Sequence, residues 1–156
     1  MNYRPQQRPF SANRPPGRPQ QERQPVAKVD PTAKLDAADL STLLTTWADA
    51  AGRRLSGASA TTTAVRRFYG EFVAIANDGP KSDEVALAQD VRTRLKLLIP
   101  RALYAQQRKN AAIPPELATL VVQLVNYATD AQKLADARAI FEAVLGYAVN
   151  YGLRNR

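Results

Sequence analysis

The chain contains neither cysteine nor histidine. Those two absences remove several function classes at once. Neither a Ser-His-Asp nor a Cys-His nucleophilic site can be built. A zinc site of the usual ligands and a disulfide framework are equally excluded. No side chain titrates near pH 7 at its ordinary value. Glycine is sparse, at positions 17, 52, 57, 70, 79, 146 and 152, and none of these belongs to a phosphate-binding G-x-G-x-x-G or G-x-x-x-x-G-K loop. No apolar run approaches the roughly 18 residues of a membrane span. No apolar segment follows the N-terminal arginines, so the opening is not a secretory signal, and its prolines forbid the amphipathic helix of a mitochondrial transit peptide. The protein is therefore expected to be soluble and cytoplasmic, without membrane contact.

What the sequence has is positive charge. Lys and Arg number 22 against 14 Asp and Glu, a net +8 over 156 residues. Such a balance points to an anionic partner. The excess is uneven. Residues 1–34 hold Arg4, Arg8, Arg14, Arg18, Arg23, Lys28 and Lys34 against Glu22 and Asp30, or +5, which leaves +3 for the rest. Seven of the eleven prolines lie in the same stretch, and Arg-Pro recurs at 4–5, 8–9, 14–15 and 18–19. Too few apolar residues are present there to offset the entropy of ordering. Residues 1–34 are expected to be a disordered basic tail with polyproline II character. It serves either as an electrostatic arm for RNA or as a solubilising segment.

From residue 35 to 156 the pattern is helical, with no alternating strand signal. Five segments are predicted, forming an all-α bundle. The first runs from about Asp36, its cap, to Ala51, with Gly52 as a stop and 56–59 as a loop. The second begins near Thr61–Thr63 and ends at Asn77-Asp78-Gly79-Pro80, with Val65, Phe68, Phe72 and Ile75 on its buried face. The third starts at Ser82 and passes through Val91, Leu95, Leu98 and Ala102, with Pro100 expected to kink or split it. Pro114-Pro115 opens the fourth, to about Tyr127. The fifth runs from Asp130 to about Leu153 on the face Ala137, Ile140, Phe141, Val144, Ala148 and Tyr151. Trp47, Phe68, Phe72, Phe141 and Tyr151 are the expected core aromatics.

Catalytic chemistry has little to work with. Asp36 with Asp39, and Asp83 with Glu84, fall in predicted first turns, where the helix dipole explains them. No catalytic, cofactor-binding or metal site is expected, so the protein is read as a non-enzyme. The informative feature is the third segment. Residues 91–115 contain Arg92, Arg94, Lys96, Arg101, Arg108 and Lys109 and no acid. On a helical projection Arg94, Arg101 and Arg108 form a heptad-spaced stripe beside the apolar face, with successive members about 10.5 Å apart along the axis. Such residues bury their stems and present their heads, and a row of them suits a phosphate backbone. The plain alternative is a solvated face whose charges pair with acids elsewhere in the bundle. Arg53-Arg54 and Arg66-Arg67 are smaller basic pairs; Arg67 has Glu71 one turn on, enough for a helix-surface ion pair. Tyr104 lies beside the stripe, where packing is the first expectation and stacking on a base the second. The candidate RNA-binding set is Arg94, Arg101, Arg108, Lys109, Arg53, Arg54, Arg66 and Lys96. A protein-interaction adaptor or a general nucleic-acid-binding protein is the competing reading.

Three stretches carry a resemblance. They are Phe68-Tyr69-Gly70-Glu71-Phe72; Arg94 through Ala105 with Pro100-Arg101-Ala102-Leu103-Tyr104-Ala105 and then Arg108; and Ile140-Phe141-Glu142-Ala143-Val144-Leu145-Gly146-Tyr147 through Gly152. In this order they resemble the small subunit of type III-A CRISPR effector complexes, over about residues 35–156. Gln106-Gln107 departs from the Ala-Gly that the family often has before the last arginine, which favours a longer helix there. The resemblance implies a non-catalytic helical subunit in antiviral defence, stacked in several copies against backbone and large subunits. Its basic surface would face guide RNA and target RNA. Arg94, Arg101 and Arg108 match the family's basic positions. Phe141, Glu142 and Tyr147 match its last motif as structural residues.

Overall fold

The computed structural model describes residues 34–35, 38–58, 60–79, 86–108 and 113–153. All regular structure among them is helical, apart from isolated bridge residues such as Ala86, which pairs with Asp130. The first helical rod comprises Leu40–Thr42, a π-helical stretch Leu43–Trp47, and Ala48–Gly57; we call it α1. It is followed by α2 (Thr62–Asn77), α3 (Gln89–Gln107), α4 (Pro115–Tyr127) and α5 (Ala131–Asn150). The all-α bundle of five helices read from periodicity is therefore the observed architecture.

Capping chemistry sets most helix starts. Asp39 caps α1, its carboxylate accepting from the Thr42 N–H at 3.0 Å and the Thr42 hydroxyl at 2.7 Å. Thr61 caps α2 through the Ala64 N–H at 3.2 Å, and Asp130 caps α5 through the Lys133 N–H at 2.8 Å. Pro115 opens α4, where its missing N–H costs nothing. The last helix ends at Gly152, whose φ of +83° favours glycine, with the Leu153 N–H closing on the Ala148 carbonyl at 2.9 Å.

Four expectations are corrected. Asp36 lies outside the described residues, and the observed cap of α1 is Asp39. Gly52 does not stop α1, and Ser56 and Gly57 are still helical. A Cβ at Gly52 would stand 2.6 Å from Tyr147 Cβ and 2.8 Å from the Ala148 nitrogen. The glycine is there because α1 and α5 approach too closely for any side chain. Pro100 does not split α3. It and Lys96, whose carbonyl loses its helical donor, are both exposed. Ser82, Asp83 and Glu84 lie outside the described residues, and α3 is regular from Gln89.

The α5 helix packs against α1, α2 and α4, and α3 packs against α4 and α2. Almost every expected core position is buried, among them Val65, Phe72, Leu95, Leu98, Leu124, Ile140 and Val144. Phe141 meets the rings of Tyr69 and Phe72 edge-on, at 5.5 and 6.0 Å between centroids. Tyr151 is the exception: it is surface-exposed, because its hydroxyl serves a polar cluster. Trp47 is half-buried at the core's margin. Lys109 and residues 1–33 lie outside the described residues.

Candidate nucleic-acid interface

The buried face of α3 is Val91, Leu95, Leu98 and Ala102, continued by Gln106. Burying that face fixes its rotation and turns Arg94, Leu97, Arg101, Tyr104 and Arg108 outward, at spacings of three and four residues. All five are exposed, Leu97 by 47% and Tyr104 by 68%. Arg94, Arg101 and Arg108 thus share one exposed side of α3, interleaved with apolar and aromatic side chains. Tyr104, for which packing is the first expectation, lies mostly at the surface.

The arginines are not all free. Arg94 Nη1 lies 2.7 Å from Asp78 Oδ2, and Arg101 Nη1 lies 3.2 Å from Glu71 Oε2. Both acids belong to the α2 side of the α2–α3 seam. One heptad forward along α2, from Glu71 to Asp78, matches one heptad back along α3, from Arg101 to Arg94, as antiparallel neighbours require. The next rung in the same register joins Arg108 to Ala64, which has no charge to offer. Arg108, the residue closing α3, instead stands 6.0 Å from the Tyr104 ring centroid. Glu71 divides its two oxygens, since Arg67 Nε sits 3.3 Å from Oε1. The ion pairs are solvent-exposed on the arginine side, 63% for Arg101 and 74% for Arg67. Pairs of this kind are worth at most about 1 kcal/mol and exchange readily for other anions.

Between α2 and α3 these side chains line a groove of about 410 Å³. Arg67, Arg101, Arg108 and Tyr104 surround it, with Glu71 as the acid and Phe68 beneath. Sequence reasoning set Arg67 aside as a local ion pair. The signal that would have found it is the shared carboxylate, visible only once α2 and α3 are known to be antiparallel.

The remaining candidates lie elsewhere. Arg53 donates to the Tyr151 hydroxyl at 2.9 Å, pairs with Asp49 at 3.4 Å and stacks over the Tyr151 ring at 4.8 Å. The Tyr151 hydroxyl in turn donates to Asp49. The Tyr151 hydrogen bond foremost, together with the nearby Asp49 carboxylate, raises the Arg53 pKa above its ordinary value. Arg53 therefore tethers α1 to the end of α5. Arg54 borders a separate cleft of about 280 Å³ with Pro115 and Glu116. The side chains of Arg54, Arg66 and Lys96 are exposed and have no hydrogen-bond or ion-pair partner among the described residues. On α3, Lys96 projects away from the stripe. The structure thus groups Arg94, Arg101 and Arg108, adds Arg67, and leaves the others apart.

The described residues form a small helical bundle with a basic face along α3 and hold no group of three or more metal-ligating side chains. The family model Csm2 Type III-A matches residues 38–154, and the chain belongs to that family. It is a small subunit of the type III-A CRISPR effector complex, assembled with other subunits. No curated protein and no solved structure matches the chain.

Proposed function

We propose that the α3 face is the chain's RNA contact within the type III-A complex. Arg94, Arg101 and Arg108 neutralise phosphates of the guide–target RNA and steady the target strand along the filament of backbone subunits, while neighbouring subunits do the chemistry. Several copies of the chain would line the same path. The whole is read as a non-catalytic, cytoplasmic antiviral component. The observation that carries this reading is the exposed heptad row on α3, two of whose members are held at the seam by Asp78 and Glu71. Contact of this kind is independent of sequence, which base pairing reads instead.

The test is the salt dependence of single-stranded RNA binding by the full chain. Each phosphate contact adds about 0.7 to the magnitude of the log–log slope. Changing Arg94, Arg101 and Arg108 together to Ala is expected to lower the slope by up to about 2 and leave the circular dichroism spectrum unchanged. The ion pairs to Asp78 and Glu71 favour a second reading, in which the arginines only clasp α2 to α3 in an adaptor bundle. That reading expects an unchanged slope and a lower unfolding temperature.

A further inference from the structure

We propose that the groove between α2 and α3 is a subsite for one unpaired nucleotide of an RNA strand, with Tyr104 as the stacking platform and Arg67, Arg101 and Arg108 as the phosphate clamp. This rests on the RNA reading above and goes beyond it, because a phosphate-only contact needs neither an aromatic platform nor a cavity. The groove, of about 410 Å³, is in the size range of small-ligand pockets. Among the described residues that line it, the charges are three arginines against one carboxylate, Glu71. That acid is already divided between Arg67 and Arg101, and the rung opposite Arg108 is Ala64. The described lining is therefore positive by two charges, and Arg108 is its arginine without an ion pair to a described residue.

Tyr104 decides the class of ligand. A tyrosine 68% exposed contributes little to the core, yet Arg108 stands 6.0 Å from its ring centroid, and Arg101 lies one turn back on the same side of α3. Bases stack on such rings, flanked by guanidinium groups, in single-strand recognition. A base within a duplex has both faces covered, so the occupant is an unpaired one. The groove's mouth adds the N-terminal turn of α2, where Thr61 and Ala64 line the wall and the helix dipole is positive. The row continues past the groove to Arg94, which is why a strand fits better than a free nucleotide.

The experiment uses the full chain and 5-bromouridine-substituted single-stranded RNA, irradiated and mapped by mass spectrometry. The expected adduct is on Tyr104. In parallel, Tyr104→Leu is expected to weaken oligoadenylate binding at least about five-fold, the lower end for one stacked base. Tyr104→Phe should retain affinity, and abasic oligomers of equal charge should be indifferent to Tyr104→Leu. Adducts absent from α3 together with no effect of Tyr104→Leu, while the triple arginine change still flattens the salt slope, would overturn the subsite and leave the RNA face standing. If neither change alters binding, both readings fail. Loss of the Tyr104 adduct on competition with adenosine monophosphate would overturn the strand assignment in favour of a free nucleotide.

Discussion

Arg101 on α3 reaches Glu71 on α2 across 3.2 Å, and the same carboxylate holds Arg67 on its other oxygen. One acid therefore restrains two of the three cations that line the groove. Replacing it by Gln frees both guanidinium groups while keeping the side-chain shape. Glu71→Gln is expected to raise affinity for single-stranded RNA and steepen the salt slope by up to about 0.7 for one added phosphate contact. Because both pairs are largely exposed, the stability change should stay within about 1 kcal/mol. Fluorescence anisotropy across a salt series, with urea unfolding alongside, reads both quantities. A fall in affinity would mean that Glu71 orients the arginines for RNA rather than competing with it.

Two glycines in helix interiors should answer oppositely to alanine. At Gly52 the new methyl meets Tyr147 Cβ and the α5 backbone, which cannot retreat without separating the helices. Overpacking of this kind costs about 1–3 kcal/mol. At Gly146, on an exposed part of α5, an added Cβ meets nothing within 4 Å. There, Gly146→Ala should stabilise by about 0.5–1 kcal/mol through helix propensity and the unfolded chain's entropy. Urea midpoints moving in opposite directions are the expected result.

These glycines also mark where the sequence stops being readable. Apolar positions such as Val65, Phe68, Phe72 and Ile75 revealed their helix because burial imposes a 3.6-residue period that needs no knowledge of neighbours. Gly52 was misread because a close helix crossing and a helix stop call for the same residue, and only the fold distinguishes them. The arginine stripe was legible for the same reason as the core: rotation of α3 follows from its apolar face. Its counter-ions were not. An acid-free run from 91 to 115 excludes local partners, yet Asp78 and Glu71 come from the preceding helix, 16 and 30 residues away. Tyr151 matched the core spacing and still came out exposed, since its hydroxyl finds Asp49 and Arg53 at the surface.

The pH profile should be set at its extremes. With no histidine, stability is expected to be flat between about pH 6 and 8. In acid, Asp39 matters: the Thr42 hydroxyl and N–H hold its carboxyl below its ordinary value. Its contribution is present above the unfolded value near 3.8 and is lost as pH falls through the lowered one. The gap between wild type and Asp39→Ala should therefore be open at neutral pH and close in strong acid. In base, burial foremost, then Asp136 and Asp130, push the Tyr127 phenol above its ordinary value. Its contribution is full below about pH 10 and is lost as pH rises through the raised value. Tyr127→Phe should flatten the alkaline limb of thermal unfolding recorded against pH.

The register of the α2–α3 seam supplies the last expectation. Asp78 and Glu71 face Arg94 and Arg101, and Ala64 occupies the third rung, opposite Arg108. Ala64→Glu completes the acid row. It also places a glutamate three residues after the cap Thr61, where it can reach back to the cap's N–H as a capping box. The helix should gain about 0.3–1 kcal/mol from the added charge at its positive end. RNA affinity should fall, because the one arginine of the row without an acid now has a partner and the groove loses half of its net charge. Ala135→Glu on α5 makes the same change in total charge at an exposed site away from the seam. A variant that is more stable yet binds single-stranded RNA more weakly than Ala135→Glu would separate the local pairing from bulk charge. Equal weakening by both substitutions would show that only the overall charge matters and that the third rung has no special role.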